Sequence, residues 1–436
     1  MTKNLRTLPT VIAAAIAVLA ACAAIAVLAG CGGNADEVAP VTVSVVGPNV
    51  VSQWNEIAAT TINAPAATTG TPEEQRPNYA IDLATVHIAI YDAVISIDGS
   101  HRPFAITPTA ATEGASQEAA AATAAYRVLL GLFPARRASY QATYDNYLAA
   151  LPSGTARDQG VAVGVEVAAG VLASRANDGR MVALAPYVPG TAPGAFRGAS
   201  PVNRNLAYVK PFAVTSNSQF RAPGPQALTS AAYAADVNET MALGSATSTT
   251  RTAAQLDIAR FHTEAPPIFW TRNLRTFIMT NRSIAEQARL AALLWVVHAD
   301  AVNACFESKY NYNFWRPTSA IQLADTDGNA ATTPDITWAP VVPTPNHPEY
   351  PAAHGCATGA MARVLQTYYG TPSVSFDFTS NVTAGTHSFT TTAALVDEVT
   401  TARIAGGMHL RNSMGDGVAL GRNVADWVAS HSFQAR

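Results

Sequence analysis

Lys309-Tyr310-Asn311-Tyr312-Asn313-Phe314-Trp315-Arg316-Pro317 closes the longest uninterrupted helical pattern in the chain. That pattern opens at Ser283-Ile284-Ala285-Glu286, a capping box in which the serine hydroxyl and the glutamate three residues on satisfy each other's free amides. Neither Gly nor Pro interrupts it up to Lys309. The spacing predicts one helix of roughly 39 Å at 1.5 Å per residue, long enough to cross a domain, with Lys309 near its end.

Working outward, helical patterns are predicted at 51–63, 79–97, 117–132, 135–151, 156–177, 230–243 and 253–261, separated by stops such as Phe133-Pro134 and Pro152-Ser153-Gly154. Residues 178–228 are rich in Pro and Gly and without period, and read as a long ordered loop over the helical body. Strand signals are few: Val41 to Val46, Val374 to Phe378 and a small hairpin within 383–391. The fold class is mainly α, a bundle of ten or so helices with long ordered loops and no solenoid-type repeat. The expected division is a leader over 1–30, a tether over 31–50 and one helical catalytic unit over 51–436. Within that unit, 51–262 holds the N-terminal helices and loop, and 263–436 the C-terminal bundle.

The chain has 27 Lys and Arg against 30 Asp and Glu, a net charge of -3, so no general positive field exists for nucleic acid. With 49% hydrophobic and 13% charged residues, it suits a large helical core. Lys3 and Arg6 precede an uncharged apolar run, Val11 to Ala29, that ends in Leu28-Ala29-Gly30-Cys31. This resembles a bacterial lipoprotein signal, cleaved before Cys31 and acylated there. Leu19-Ala20-Ala21-Cys22 fits less well, because cleavage there leaves an apolar stretch on the mature chain; an uncleaved membrane anchor is the other reading. The expected location is extracytoplasmic, membrane-anchored, in the periplasm or on the cell surface. Cys305 and Cys356 form an even pair, read either as a disulfide in an oxidising compartment or as two buried thiols.

Five separated basic residues carry the chemistry. Lys309 and Arg316 flank aromatic residues that exclude water, which strengthens charge-assisted bonds to an oxyanion. Alone, such a pair usually marks a solvated surface. Tyr350-Pro351-Ala352-Ala353-His354-Gly355-Cys356 is read as opening a helix with Pro351 at its first position. The amides of Ala352, Ala353 and His354 are then free donors for an anion, and His354 is placed to move a proton. The third motif, Thr401-Ala402-Arg403-Ile404-Ala405-Gly406-Gly407-Met408-His409, ends a helix predicted over 395–405. It sets His409 in a turn before a last helix over 414–430, for which Ser413 reads as the cap.

Together the three motifs resemble the signature of the vanadium haloperoxidase and type 2 phosphatidic acid phosphatase superfamily, in its bacterial extracytoplasmic haloperoxidase-like branch. That signature is Lys, six residues, Arg-Pro; then Pro-Ser-Gly-His; then Ser-Arg, five residues, His. Lys309 to Pro317 matches the first motif in full, Pro351 and His354 match the second, and Arg403 and His409 the third. The resemblance implies packed helical bundles and a vanadate cofactor, with Lys309, Arg316, Arg403 and the amide of Ala353 holding its oxygens. It implies His409 as the axial ligand to vanadium, or the nucleophile of a phosphatase, and His354 as the acid–base residue. The implied reaction is oxidation of a halide by hydrogen peroxide, with Lys309 polarising the peroxide and an organic acceptor taking the oxidised halogen.

Three positions depart from the pattern. Ala352 and Ala402 stand where the family has serine, and Ser413 stands where it has the aspartate that orients the final histidine. Because vanadate mimics phosphate, a phosphatase with a phosphohistidine intermediate is one alternative, and the missing serine and aspartate support a second, a non-catalytic oxyanion-binding lipoprotein. Asp325-Thr326-Asp327-Gly328-Asn329 lacks the closing glutamate of a calcium loop and reads as a surface turn. Phe314, Trp315 and His347 are candidates for a substrate entrance.

Overall fold

The computed structural model describes residues 39–436, so the signal segment and Cys31 lie outside the described residues. The described residues contain fourteen α-helices: α1 (Val50–Ile62), α2 (Pro72–Gln75), α3 (Tyr79–Asp98), α4 (Gln117–Leu132), α5 (Arg137–Ala150), α6 (Thr155–Arg175), α7 (Ala231–Gly244), α8 (Ala253–Phe261), α9 (Pro266–Arg275), α10 (Ile284–Tyr312), α11 (Pro317–Gln322), α12 (Ala353–Tyr369), α13 (Thr392–Ala405) and α14 (Arg411–His431). Three strands, β1 (Val41–Thr42), β2 (Val374–Ser380) and β3 (Gly385–Phe389), make one small sheet. In it β1 runs parallel and β3 antiparallel to β2, with Phe376 opposite Phe389.

The mainly α class and the capping box of α10 stand as read. Other boundaries move for local reasons. The strand expected over 41–46 is only two residues long. Helix α13 begins earlier than expected because Thr391 caps it, accepting from the amide of Ala394. Helix α14 begins at Arg411 behind Leu410, and Ser413 falls inside the first turn instead of capping it. Helix α9 was hidden by Pro266-Pro267, which open the helix at positions where an amide hydrogen is not needed.

Helices α3 and α10 cross at the centre and are buried nearly all round, so they are apolar on every face. Both are long and apolar enough to cross a membrane by composition, but 89% and 94% of their apolar windows are buried within the protein. Each carries one buried aspartate that ties down a Pro-Phe-Ala segment. Asp92 accepts the amides of Phe104, Ala105 and Ile106 at 2.5–2.9 Å. Asp300 accepts those of Phe212, Ala213 and Val214 at 2.7–3.0 Å. The local sequences match as well: Asp92-Ala93-Val94 with Pro103-Phe104-Ala105-Ile106-Thr107, and Asp300-Ala301-Val302 with Pro211-Phe212-Ala213-Val214-Thr215. Asp300 thus fixes part of the 178–228 loop, rather than linking helices.

Around each central helix, two others pack through small residues. In the first bundle α6 lies on α4, and a Cβ on Gly160 or Gly164 would strike the α4 backbone. In the second, α12 lies on α14. A Cβ on Gly355 or Gly359 would meet Met414 and Val418, and one on Gly417 or Gly421 would meet Ala352 and Cys356. Close approach of α12 to α14 brings the start of one beside the start of the other. A disulfide between Cys305 and Cys356, Cα atoms 6.3 Å apart, joins α10 to α12.

Candidate active site

Four chain segments end at one point. Lys309 lies in the last turn of α10, and Arg316 is the N-cap of α11. His354 is in the first turn of α12, and Arg403 in the last turn of α13. His409 lies in the short loop to α14. In that loop Gly407 has φ of 76° and its backbone lies against Gly244 and Pro340, so a side chain there would be both strained and crowded. The turn it permits aims the next residues inward.

Lys309, Arg316, Arg403 and His409 are all buried. Lys309 Nζ donates to the carbonyls of Pro348 and Glu349 at 2.8 and 2.9 Å. Arg316 donates from Nε to His347 O at 2.7 Å, and from Nη1 to Met408 O at 2.9 Å and to His409 Nε2 at 3.2 Å. Guanidinium has no acceptor, so His409 Nε2 carries a lone pair and the ring proton sits on Nδ1. That proton is donated to Glu349 Oε1 at 2.9 Å, and the same oxygen accepts the amide of Leu410 at 3.0 Å.

Glu349 was not among the residues singled out from the sequence, and it replaces the carboxylate whose loss at Ser413 put the orientation of His409 in doubt. Ser413 still takes part, its hydroxyl donating to Glu349 O at 3.4 Å. The available signal was an acid two residues before Pro351. Its value emerges only when α12 and α14 are packed together.

The helix start is also corrected. Tyr350–Pro351 is a cis peptide, and Pro351 lies before the helix instead of at its first position, with Ala352 as the N-cap. The amide of Ala352 is taken by Ser413 O at 3.0 Å. Free donors therefore begin at Ala353, the first residue of α12, followed by His354; Ala352 supplies no side-chain cap.

Burial dominates the electrostatics. It pushes Lys309 well below its ordinary value, with Arg316 and Arg403 adding repulsion. It brings Arg316 down to about 10 and Arg403 to about 9. His354 and His409 are held well below the ordinary imidazole value, first by burial and then by neighbouring cations. Glu349 is raised to about 7 by burial, against the pull of the Leu410 amide, Lys309 and Arg316. Three buried cations thus face one weakened carboxylate, and a bound anion would relieve the strain on all three.

A cavity of about 470 Å³ opens onto this cluster. Ala353, His354, Arg403 and His409 form its polar floor, and Trp270 and Phe306 belong to its apolar wall. Lys309 and Arg316 are buried and do not line it. His347 lines the cavity as expected, whereas Phe314 and Trp315 are packed into the core and do not. Val202 and Leu206 of the long loop close one side.

The donor set fits a tetrahedral oxyanion such as vanadate. Arg403 Nε is buried without a partner. His354 makes no side-chain hydrogen bond among the described residues, and His409 Nε2 is unprotonated. The Asp325 to Asn329 segment is a turn in which Asp327 accepts from the Asn329 amide and the Thr332 hydroxyl.

Residues 289–435 match the model of the VCPO second helical-bundle domain, a span that holds all five basic residues. No curated protein matches the chain. Among solved structures, a bacterial vanadium-dependent iodoperoxidase superposes with a TM-score of 0.71 at 22% identity, over 88% of this chain and 95% of that one. The apo form of a bacterial vanadium-dependent chloroperoxidase gives 0.65 at 14% identity, over 86% and 97%. The holo form of a bacterial vanadium-dependent chloroperoxidase gives 0.67 at 14%, over 89% and 98%. The chain shares the fold of these vanadium-dependent haloperoxidase structures, and its C-terminal third is similar to the VCPO second helical-bundle domain.

Proposed function

We propose that the protein is a vanadate-dependent haloperoxidase that oxidises halide with hydrogen peroxide. The observation that carries this reading is the convergence of Lys309, Arg316 and Arg403, all buried, on an unprotonated His409 Nε2 at the floor of a largely apolar cavity. Vanadate held there would supply a Lewis acid for peroxide. Lys309, Arg316, Arg403 and the Ala353 amide would hold its oxygens, and His409 Nε2 would be its protein ligand. Glu349 fixes the His409 tautomer, His354 exchanges protons at the cavity floor, and the apolar wall keeps bulk water from the oxidised halogen.

The same donors suit a phosphate ester, with His409 Nε2 as nucleophile and His354 as acid. The lining, apolar over most of its surface, favours the haloperoxidase reading, since it offers little to a second charged group. Addition of vanadate, peroxide and bromide or iodide to apoprotein should brominate or iodinate a phenol dye. Hydrolysis of a phosphate monoester without any vanadate-dependent turnover would establish the phosphatase instead, and inactivity in both assays the binding protein.

The proposed setting is extracytoplasmic, with a lipid anchor at Cys31. The Cys305–Cys356 disulfide supports an oxidising compartment. A mature N-terminus other than an acylated Cys31 would refute the anchor.

A further inference from the structure

A second histidine of the cavity wall has what His354 lacks. His262, at the C-terminal end of α8, places Nε2 at 2.9 Å from Glu398 Oε1. The same oxygen is 2.7 Å from His387 Nδ1, and His387 Nε2 is 3.2 Å from Asp257 Oδ2. Exposure of the side chains rises from 2% at His262, through 18% at Glu398 and 17% at His387, to 59% at Asp257. The rings are fixed by packing: His387 stacks on Phe261 with centroids 3.8 Å apart, and His262 lies edge-on to Phe261 and Phe269. His262 Nδ1 has no hydrogen-bond partner among the described residues, and His262 lines the cavity alongside His354.

We propose that His262, Glu398, His387 and Asp257 form a proton conduit from the protein surface to the cavity, with His262 as the group that delivers the proton. The proposal rests on the haloperoxidase reading, because that reaction consumes one proton per turnover. Hydrogen peroxide, a halide ion and a proton give hypohalous acid and water. The O–O bond breaks and an O–halogen bond forms, the halide loses two electrons to the peroxide, and the departing hydroxide takes the proton. In a cavity with apolar walls, that proton needs a route.

His354 is poorly placed to be resupplied. The charges that act on it are Arg403, His262, Lys309 and Arg316, all positive or potentially so. Burial holds His262 below the ordinary imidazole value; Glu398, in contact with it, works against that, opposed in turn by Arg403 of the Glu398 helix and by His387. His354 faces it from α12, and the remaining acid of the cavity wall, Glu264, is held by a two-pronged pair with Arg272. Glu398 is therefore the contact that strengthens the hold of His262 on a proton against burial. Its removal weakens that hold, and the loss of activity with rising pH sets in at lower pH.

The test uses full-length protein and the variants His262→Ala, Glu398→Gln and His387→Ala. The His262 carbonyl, which accepts from Arg403 Nη1, survives the first substitution. Vanadate affinity of His262→Ala should therefore stay within about threefold of wild type, while kcat falls about 100-fold, the lower end of general acid catalysis. In Glu398→Gln the alkaline limb of kcat should move to lower pH, and histidine ¹⁵N NMR of the apoprotein should show His262 titrating lower. His387→Ala should be slow in dilute buffer and recover in concentrated buffer, which a purely structural role would not produce. Wild-type turnover with His262→Ala matching it in kcat and pH profile would overturn the conduit alone. Absence of vanadate-dependent turnover in the wild type would overturn the haloperoxidase reading and the conduit with it.

Discussion

Asp92 in α3 and Asp300 in α10 hold matching segments by the same three amides, and glycine-mediated helix crossings follow in both bundles. Only the second bundle carries the five basic residues, and the difference lies at helix ends. Helix α3 stops six residues past its aspartate, at Asp98, while α10 runs twelve past, to Tyr312, and so carries Lys309 into the cluster. Helix α4 begins with Ser116 capping the amide of Ala119 and with Glu118 in its first turn. Helix α12 begins behind Ala352, with neither a side-chain cap nor an acid. One N-terminus is closed and negative; the other is open and faces three cations. On the proposed reading, a bundle keeps its core and gains an anion site by lengthening one helix and leaving another uncapped.

The comparison can be broken most severely at Lys309. Lys309→Met should fold and yet lose turnover by about 10²- to 10³-fold, the scale for a preorganised donor at developing charge. His101, the residue at the matching distance past Asp92, should be replaceable by alanine with no effect on turnover. A Lys309→Met protein retaining a tenth of wild-type activity would remove Lys309 from the site.

Closing the open helix is the next strongest intervention. Ala352→Asp makes the start of α12 resemble that of α4, and vanadate affinity should fall about 100-fold, the scale of one close charge against another in a partly dry site. Unchanged affinity would show that the α12 N-terminus does not face the anion.

Much of this contrast was legible in the residues. The spacing of Lys309 and Arg316, the Pro351 to His354 motif, and Arg403 with His409 pointed to the proposed oxyanion site, and the helical periods gave the class. Glu349 was not legible, because its partner His409 is sixty residues away and meets it only after α12 and α14 pack. His262 was hidden for the same reason, being read as the edge of a helix ending at Phe261. The pairing of the bundles escaped notice because the Pro-Phe-Ala segment follows Asp92 but precedes Asp300, so the repeat is spatial rather than sequential.

Glu349 offers a sharper test by pH. Its carboxyl is raised to about 7, and its Oε2 is buried without a partner, which favours the neutral form. Below that value the cluster keeps its full positive charge; as pH rises through it, Glu349 ionises and competes with the anion. Vanadate affinity should weaken about tenfold between about pH 6 and pH 8, and Glu349→Gln should flatten the dependence. An unchanged slope in that variant would assign the titration elsewhere.

The smallest effects separate scaffold from site. Asp92→Asn and Asp300→Asn should each lower stability by about 1–3 kcal/mol through loss of charge-assisted hydrogen bonds, read in thermal unfolding. Only Asp300→Asn should also weaken vanadate binding several-fold, since only α10 positions an anion ligand. Equal effects on binding would erase the distinction between the bundles.

The most direct measurement is a crystal structure of the protein soaked with vanadate. The expected result is vanadium bonded to His409 Nε2, its oxygens on Lys309, Arg316, Arg403 and the Ala353 amide, and Glu349 still on His409 Nδ1. Vanadate bound elsewhere, or a His409 turned so that Nδ1 meets the metal, would contradict the site.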